Sequence, residues 1–360
     1  MFGNKYPHRA VLIGLALTCS IASPRTSAQE ICGVPSSFGS AIFKDGFDPF
    51  PGTTGAAKSA GVNPTKRPFA PIFYSPKGGP APTVTITFPA SSPPLDALET
   101  DVAGTYTGPS NIGIVINGRR AYVQGGQFLV PRLTLATGAT NLNAQARTIT
   151  GQSASNSRNI SATEALRPAA WSTTAAVGIA PFRVPFRLLA LNGSTIQSIS
   201  VDFNGDSVAD FTGTDPAAVP AYTYTTPGVF VASVTVTGEN SAAQPFNVTL
   251  QRRVLIANIV EHRERICSVF AHLRQELASN DVPGALQAVA ETIRSKFQPL
   301  FEALGANSGT AASMLGTITN GLIGLDRASL TVTQPEAGRN YGYAVDFAPD
   351  DDGVWRIREM

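Results

Sequence analysis

Oxygen-bearing side chains recur through "ISVDFNGDSVADF", Ile199 to Phe211, at a spacing that could hold a hard cation. Counted from Asp202, positions one, three, five and nine are Asp202, Asn204, Asp206 and Asp210, and the carbonyl of Val208 stands at seven. Calcium takes about six to eight oxygens, and a tight loop can bring alternate residues to one point, so the pattern admits a calcium loop. Two departures oppose it: Ser207 occupies the place of the usual turn glycine, and Gly213 stands where such loops carry Glu. The competing reading is an acidic turn in which Asp and Asn accept backbone amides and Gly205 makes the bend. Calcium is the one cofactor the sequence suggests.

Catalytic constellations are scarce. "GANSG" puts Ser308 one place too late for a nucleophile elbow. His262 and His272 lie ten residues apart on one predicted helix, with no H-E-x-x-H or Cys-x-x-Cys spacing near them, and read as exposed or partly packed. "YVQGGQF" lacks the Lys and Ser/Thr of a phosphate loop. An enzyme would have to draw on Glu261, His262, Tyr343 and Asp346 as its nearest acids and bases. Trp171 and Trp355, with Tyr341 and Tyr343 near the second, offer rings for stacking on a sugar, although Trp355 in "VWRI" reads as the core of a last strand. Asn117-Gly118-Arg119 is explained by hairpin geometry, and three Asn-x-Ser/Thr sites decide nothing.

The elements that position these residues follow an apparent export signal. Lys5 and Arg9 precede the apolar "AVLIGLALTCSIA" and the small residues of "TSAQE", which predicts a secretory signal peptide over 1–28. The run falls short of the ~20 apolar residues that span a bilayer, and no later segment reaches that length. Thr18 before Cys19 departs from a lipoprotein signal. Cleavage would leave 24 basic against 25 acidic side chains, a net charge of −1, which supplies no basic stripe for nucleic acid. Cys32 and Cys267 would then be the only thiols, in a compartment where a bridge between them can persist, or else both free.

Residues 29–81, dense in Pro, Gly and Ser, read as an extended arm or linker. Its "IFKDGFD", Ile42 to Asp48, resembles a short F-x-D-G-F-E element that follows the signal peptide in some secreted proteobacterial proteins. From "TVTITFP" onward short alternating strands recur, and Asn117-Gly118 marks a type I′ hairpin. With "VTITFPA", "VAGTYTGP", a V-I-N-G hairpin and "LATGATNLNAQA", residues 82–165 resemble bacterial immunoglobulin-like modules. These serve as spacers, adhesive units and sugar binders alike. Residues 166–255, through "IQSISVDFNGD" and "YTYTTPGVFVASVTV", resemble the polycystic-kidney-disease (PKD) type of sandwich, with Val201 in place of its usual Trp. The acidic stretch is also similar to the D-x-N-G-D-G-x-x-D loops of bacterial calcium-binding repeats.

After Arg253 the period changes to 3.6. Ile256, Ile259, Val260, Ile266, Val269, Phe270, Leu273 and Leu277 form one helical stripe. "ASLTVTQPE", "YGYAVDFA" and "GVWRIREM" then predict three strands, and 256–360 reads as a helices-then-sheet domain. Its ending resembles α+β domains of bacterial secreted proteins and the nuclear-transport-factor-like cone fold, whose members include enzymes and non-enzymes. The expected architecture is therefore multidomain: two all-β immunoglobulin-like sandwiches followed by a small α+β domain. The expected role is non-catalytic, in a secreted, periplasmic or cell-surface protein that binds an extracellular polysaccharide or a surface protein. An enzyme with its pocket in 256–360, and a structural spacer, are the alternatives.

Overall fold

A computed structural model describes Cys32, residues 81–336 and residues 339–360. The expected signal peptide and the arm with its "IFKDGFD" element, apart from Cys32 and Ala81, lie outside the described residues.

Alternation builds the first sandwich. In β1 (Thr83–Phe88) Val84 and Ile86 are buried while the three threonines face outward, as a one-sided sheet requires. Seven strands follow: β2 (Glu99–Thr107), β3 (Ile112–Ile116), β4 (Arg119–Arg120), β5 (Tyr122–Gln124), β6 (Gln127–Thr134), β7 (Gly138–Thr148) and β8 (Ser153–Ala162). They form two antiparallel sheets, ordered β1-β2-β6-β5 and β4-β3-β7-β8, around Ile86, Ile114, Ile116, Phe128 and Leu142. Asn117 and Gly118, at φ 47° and 80°, make the two-residue turn into β4. Side chains close one gap between the sheets: Asn156 Oδ1 accepts the Ile86 amide at 2.9 Å, and Arg158 Nη1 donates to the carbonyls of Thr87 and Pro89. Edge groups of β1 are thereby paired rather than left to another chain.

The second sandwich contains β9 (Ala169–Thr173), β10 (Val177–Ile179), β11 (Phe182–Val184), β12 (Phe186–Ala190), β13 (Thr195–Asp202), β14 (Phe211–Gly213), β15 (Tyr222–Tyr224), β16 (Gly228–Glu239) and β17 (Pro245–Ala257). Its main sheet is ordered β10-β17-β16-β13-β14, beside the pairs β11-β15 and β12-β9. Ala232, Val234 and Val236 are buried along β16. Rings of Trp171, Phe186, Phe203, Tyr222, Tyr224 and Phe230 touch in succession with centroids 4.7–5.2 Å apart. The Tyr224 hydroxyl donates to the Phe203 carbonyl at 2.7 Å, which satisfies a buried phenol. Because β17 runs to Ala257, Ile256 is a buried strand residue rather than part of the helical stripe. A continuous apolar run fits either period, so sequence could not separate them. Val260, also placed on that stripe, is exposed.

Compact units do not follow these cores. One unit reaches to Arg265 and adds Pro349–Trp355; the other holds Ile266–Ala348 and Arg356–Met360 with Cys32. Within the first, Pro349–Trp355 docks on the first sandwich. The Asn111 carboxamide matches the Trp355 backbone with two 3.0 Å hydrogen bonds, and Arg120 Nη1 donates to the Pro349 carbonyl. A Cβ on Gly113 would stand 2.3 Å from backbone atoms of Asp352 and Val354, so only glycine allows this approach.

The second unit carries the later turns of α1 (Ile259–Ala278), then α2 (Val282–Gln287), α3 (Arg294–Leu304) and α4 (Ser308–Met314). Asp281 caps α2 through the Gly284 amide at 2.9 Å, with Pro283 in the first turn. Four strands follow in consecutive order: β18 (Thr317–Ile323), β19 (Ala328–Glu336), β20 (Arg339–Pro349) and β21 (Trp355–Glu359). The expected three strands are thus corrected to four. In β18 the ladder slips between Ile318 and Asn320, and this irregularity breaks the period-two signal in "TITNGLI". Cys32 and Cys267 form a disulfide with Cα atoms 5.6 Å apart across 235 residues.

Candidate functional site

The acidic turn satisfies itself. Asp202 accepts the amides of Asn204, Gly205 and Ser207, Asp206 accepts that of Val208, and Asp210 accepts that of Phe203 at 2.7 Å. Gly205 and Ser207 take φ of 81° and 68°, so Ser207 adopts the conformation for which glycine is usual. Asp206 holds its carboxyl below the ordinary aspartate value, chiefly through the Val208 amide and then the Asn204 carboxamide. Among the described residues no three His, Cys, Asp or Glu side chains gather to hold a metal. The carboxylates of Asp202, Asp206 and Asp210 thus serve the turn by accepting backbone amides, and calcium at Asp202, Asn204, Asp206, Val208 and Asp210 stands beside the turn as a proposal.

The enzyme candidates fall in different compact units, and each has a structural partner. Glu261 accepts Gln124 Nε2 at 2.7 Å and the Gly125 amide, while buried His262 packs edge-on against Trp355 at 5.0 Å. Asp346 pairs with Arg327, and the Tyr343 hydroxyl donates to the Leu315 carbonyl. Burial pushes the Tyr343 phenol up to about 12, with Arg274 pulling the other way. His262 and His272, expected to be exposed or partly packed, are both under 5% exposed. His272 sits 3.7 Å from Glu276 and 3.1 Å from the Gly284 carbonyl. Trp171 is a core residue stacked on Phe186, so it offers no sugar platform, and Trp355 is buried too.

Sequence reasoning passed over a cleft of about 140 Å³ between the two sandwiches. Its geometry begins with a slip in the ladder of β2 and β6: Thr100 faces Leu133 but Val102 faces Val130, and Arg132 takes φ 54°. The slip aims Asp101 at main-chain donors, so that its carboxylate accepts the amides of Arg132 at 3.1 Å and Arg253 at 2.9 Å. Arg252 lies 3.4 Å from Glu99 and 3.9 Å from Asp101, and its Nε donates to the Trp171 carbonyl at 2.9 Å. Arg132 pairs with Glu99 at 3.2 Å.

Arg253 differs from its neighbours. Its guanidinium carbon stands 3.2 Å from the centre of the Phe88 ring, and its Nη1 is buried with no hydrogen-bond partner. An unmet buried donor costs about 1–3 kcal/mol, more when charged. Burial pushes the guanidinium down to about 10, partly offset by Asp101. A sequence signal did exist: "ETDVAG" places an aspartate where burial is continuous from Thr100 to Gly104, and a buried carboxylate demands partners. Those partners stand 31 and 152 residues away, where alternation alone cannot find them.

No protein-family model matches the sequence, and no curated protein matches it. Among solved structures, the fibronectin(III)-like modules of Clostridium thermocellum CbhA align over 49% of this chain and 94% of theirs, at 12% identity and TM-score 0.18. Dimeric latent PorU from Porphyromonas gingivalis aligns over 51% of this chain and 21% of its own, at 10% identity and TM-score 0.27. Bacteroides ovatus SGBP-B, solved with a mixed-linkage heptasaccharide, aligns over 49% and 48%, at 14% identity and TM-score 0.18. The chain thus spans half or less of the last two. At these TM-scores the likenesses carry no weight, and fold and function rest on the sheets and side chains above. Among the described residues no helix is long and apolar enough to cross a membrane.

Proposed function

We propose that this is a secreted or cell-surface, non-catalytic protein whose paired sandwiches form one rigid body for binding an extracellular polymer or a surface partner. The observation that carries the reading is the junction itself. Asp101 is 4% exposed and joins β2, β6 and β17 through main-chain and guanidinium donors. Gln124 adds to it by accepting the Asn258 amide at 2.6 Å. Flexible spacers have no need of a buried charged seam, whereas a binding surface gains from preorganisation. The structural partners of Glu261, His262, Tyr343 and Asp346 support a non-catalytic role over the enzyme alternative. Screening the mature chain against immobilised polysaccharides and envelope extracts tests the proposal. Retention on at least one polymer or surface protein is expected, and turnover of a bound polymer would overturn it.

A further inference from the structure

The cleft between the sandwiches is charged in an unbalanced way. Three guanidinium groups, from Arg132, Arg252 and Arg253, face two carboxylates, from Glu99 and Asp101. Both carboxylates are already engaged by Arg132, Arg252 or main-chain amides, which leaves Arg253 Nη1 as the donor without an acceptor. Arg167 adds to the positive field: burial lowers its pKa, Asp96 opposes that, and the charge of Arg252 lowers it further. Ser172, Thr173 and Thr174 supply neutral polar groups on another wall. At about 140 Å³ the space is near the roughly 150 Å³ of an engineered cavity that admits benzene, well below the ~300 Å³ or more of an ordinary ligand pocket.

We infer that the cleft receives a single carboxylate group on a sugar-sized body, which supplies the acceptor that Arg253 lacks and neutralises the excess guanidinium charge. The inference rests on the binding role proposed above and names the ligand chemistry of that unit. A planar carboxylate suits the guanidinium fork, while Phe88 beneath Arg253 holds the fork in place. A neutral hydroxyl would also meet the orphan donor, but it would leave the charge excess standing. The same chemistry can come from a free acid sugar or from an acidic polysaccharide.

Calorimetric titration of the full mature chain distinguishes these. Glucuronate should bind, whereas glucose and glucuronate methyl ester, which keep the ring and lose the charge, should not. Arg253→Met should weaken glucuronate at least about tenfold, the worth of one charged hydrogen bond, with the thermal midpoint retained. Affinity should also fall as pH rises through about 10, where Arg253 loses its proton. Retention on polygalacturonate, released by glucuronate, identifies the polymer as a source; binding of glucuronate alone identifies the free acid. Equal binding of the methyl ester, or unchanged binding by a folded Arg253→Met chain, overturns the inference. Retention on neutral polymers with no response to glucuronate overturns the carboxylate and leaves polymer binding intact, and no retention at all removes both.

Discussion

Two groups of carboxylates in the same compact unit use the same chemistry to opposite ends. Asp202 accepts amides from residues two, three and five places along the chain. Asp101 accepts them from Arg132 and Arg253, 31 and 152 places away. The turn is solvated and folds a few residues onto themselves, while the junction is buried and fixes three strands from two sandwiches. Equal bonds thus do unequal work: the local set shapes a loop, and the distant set decides an architecture.

Sequence-distant links should accordingly give the larger losses. The longest is the Cys32–Cys267 bridge, whose 235-residue separation gives roughly 5 kcal/mol by chain entropy, as an upper figure. Replacing both cysteines by alanine should lower the denaturation midpoint by a large step, and peptide mapping that finds two alkylatable thiols would remove the bridge. Next, Asp101→Ala leaves two main-chain amides without their acceptor and removes one of the two carboxylates beside Arg252, at about 3–4 kcal/mol by chemical denaturation. A loss near that of a surface aspartate would erase the contrast drawn above.

The local turn should respond less. Asp202→Ala should cost about 1–2 kcal/mol, in the range of a lost cap, and millimolar calcium should leave the wild-type melting temperature unchanged. A rise of several degrees with calcium, abolished in the variant, would establish the cation loop. Asp206 gives the smallest effect, visible only in acid. Its folded pKa lies below the ordinary value of 3.8, so its contribution is present above that pH and is lost as pH falls through the lowered value. Asp206→Asn should flatten this part of the stability profile, and an identical profile in the variant would place the acid sensitivity elsewhere.

Much of the molecule was legible where the signal is short-range. Val84 and Ile86, Ala232 and Val234 declare their faces by alternation, Asn117-Gly118 declares its turn, and Asp281 with Pro283 declares a helix start. The acidic turn was also legible, because its donors and acceptors are neighbours in the chain. Reading failed where alternation broke or where partners were remote. β18 hides behind its ladder slip, Trp171 carries no mark of burial, and Arg253 looks like half of an ordinary basic pair in "LQRRVLIA".

By itself, the sequence determined the alternating strands of the sandwiches, the apolar stripe of α1, the capped start of α2 and the turns, since backbone preferences and side-chain periodicity act over a few residues. Only the tertiary structure decided that Pro349–Trp355 belongs with the first sandwich, that His262 and His272 are buried, and that Asp101 meets Arg252 and Arg253. Those outcomes depend on which surfaces meet when the sheets bury their apolar faces together. No local rule carries that information, because burial of apolar area is non-directional and the pairing of buried charge follows from where the faces come to rest.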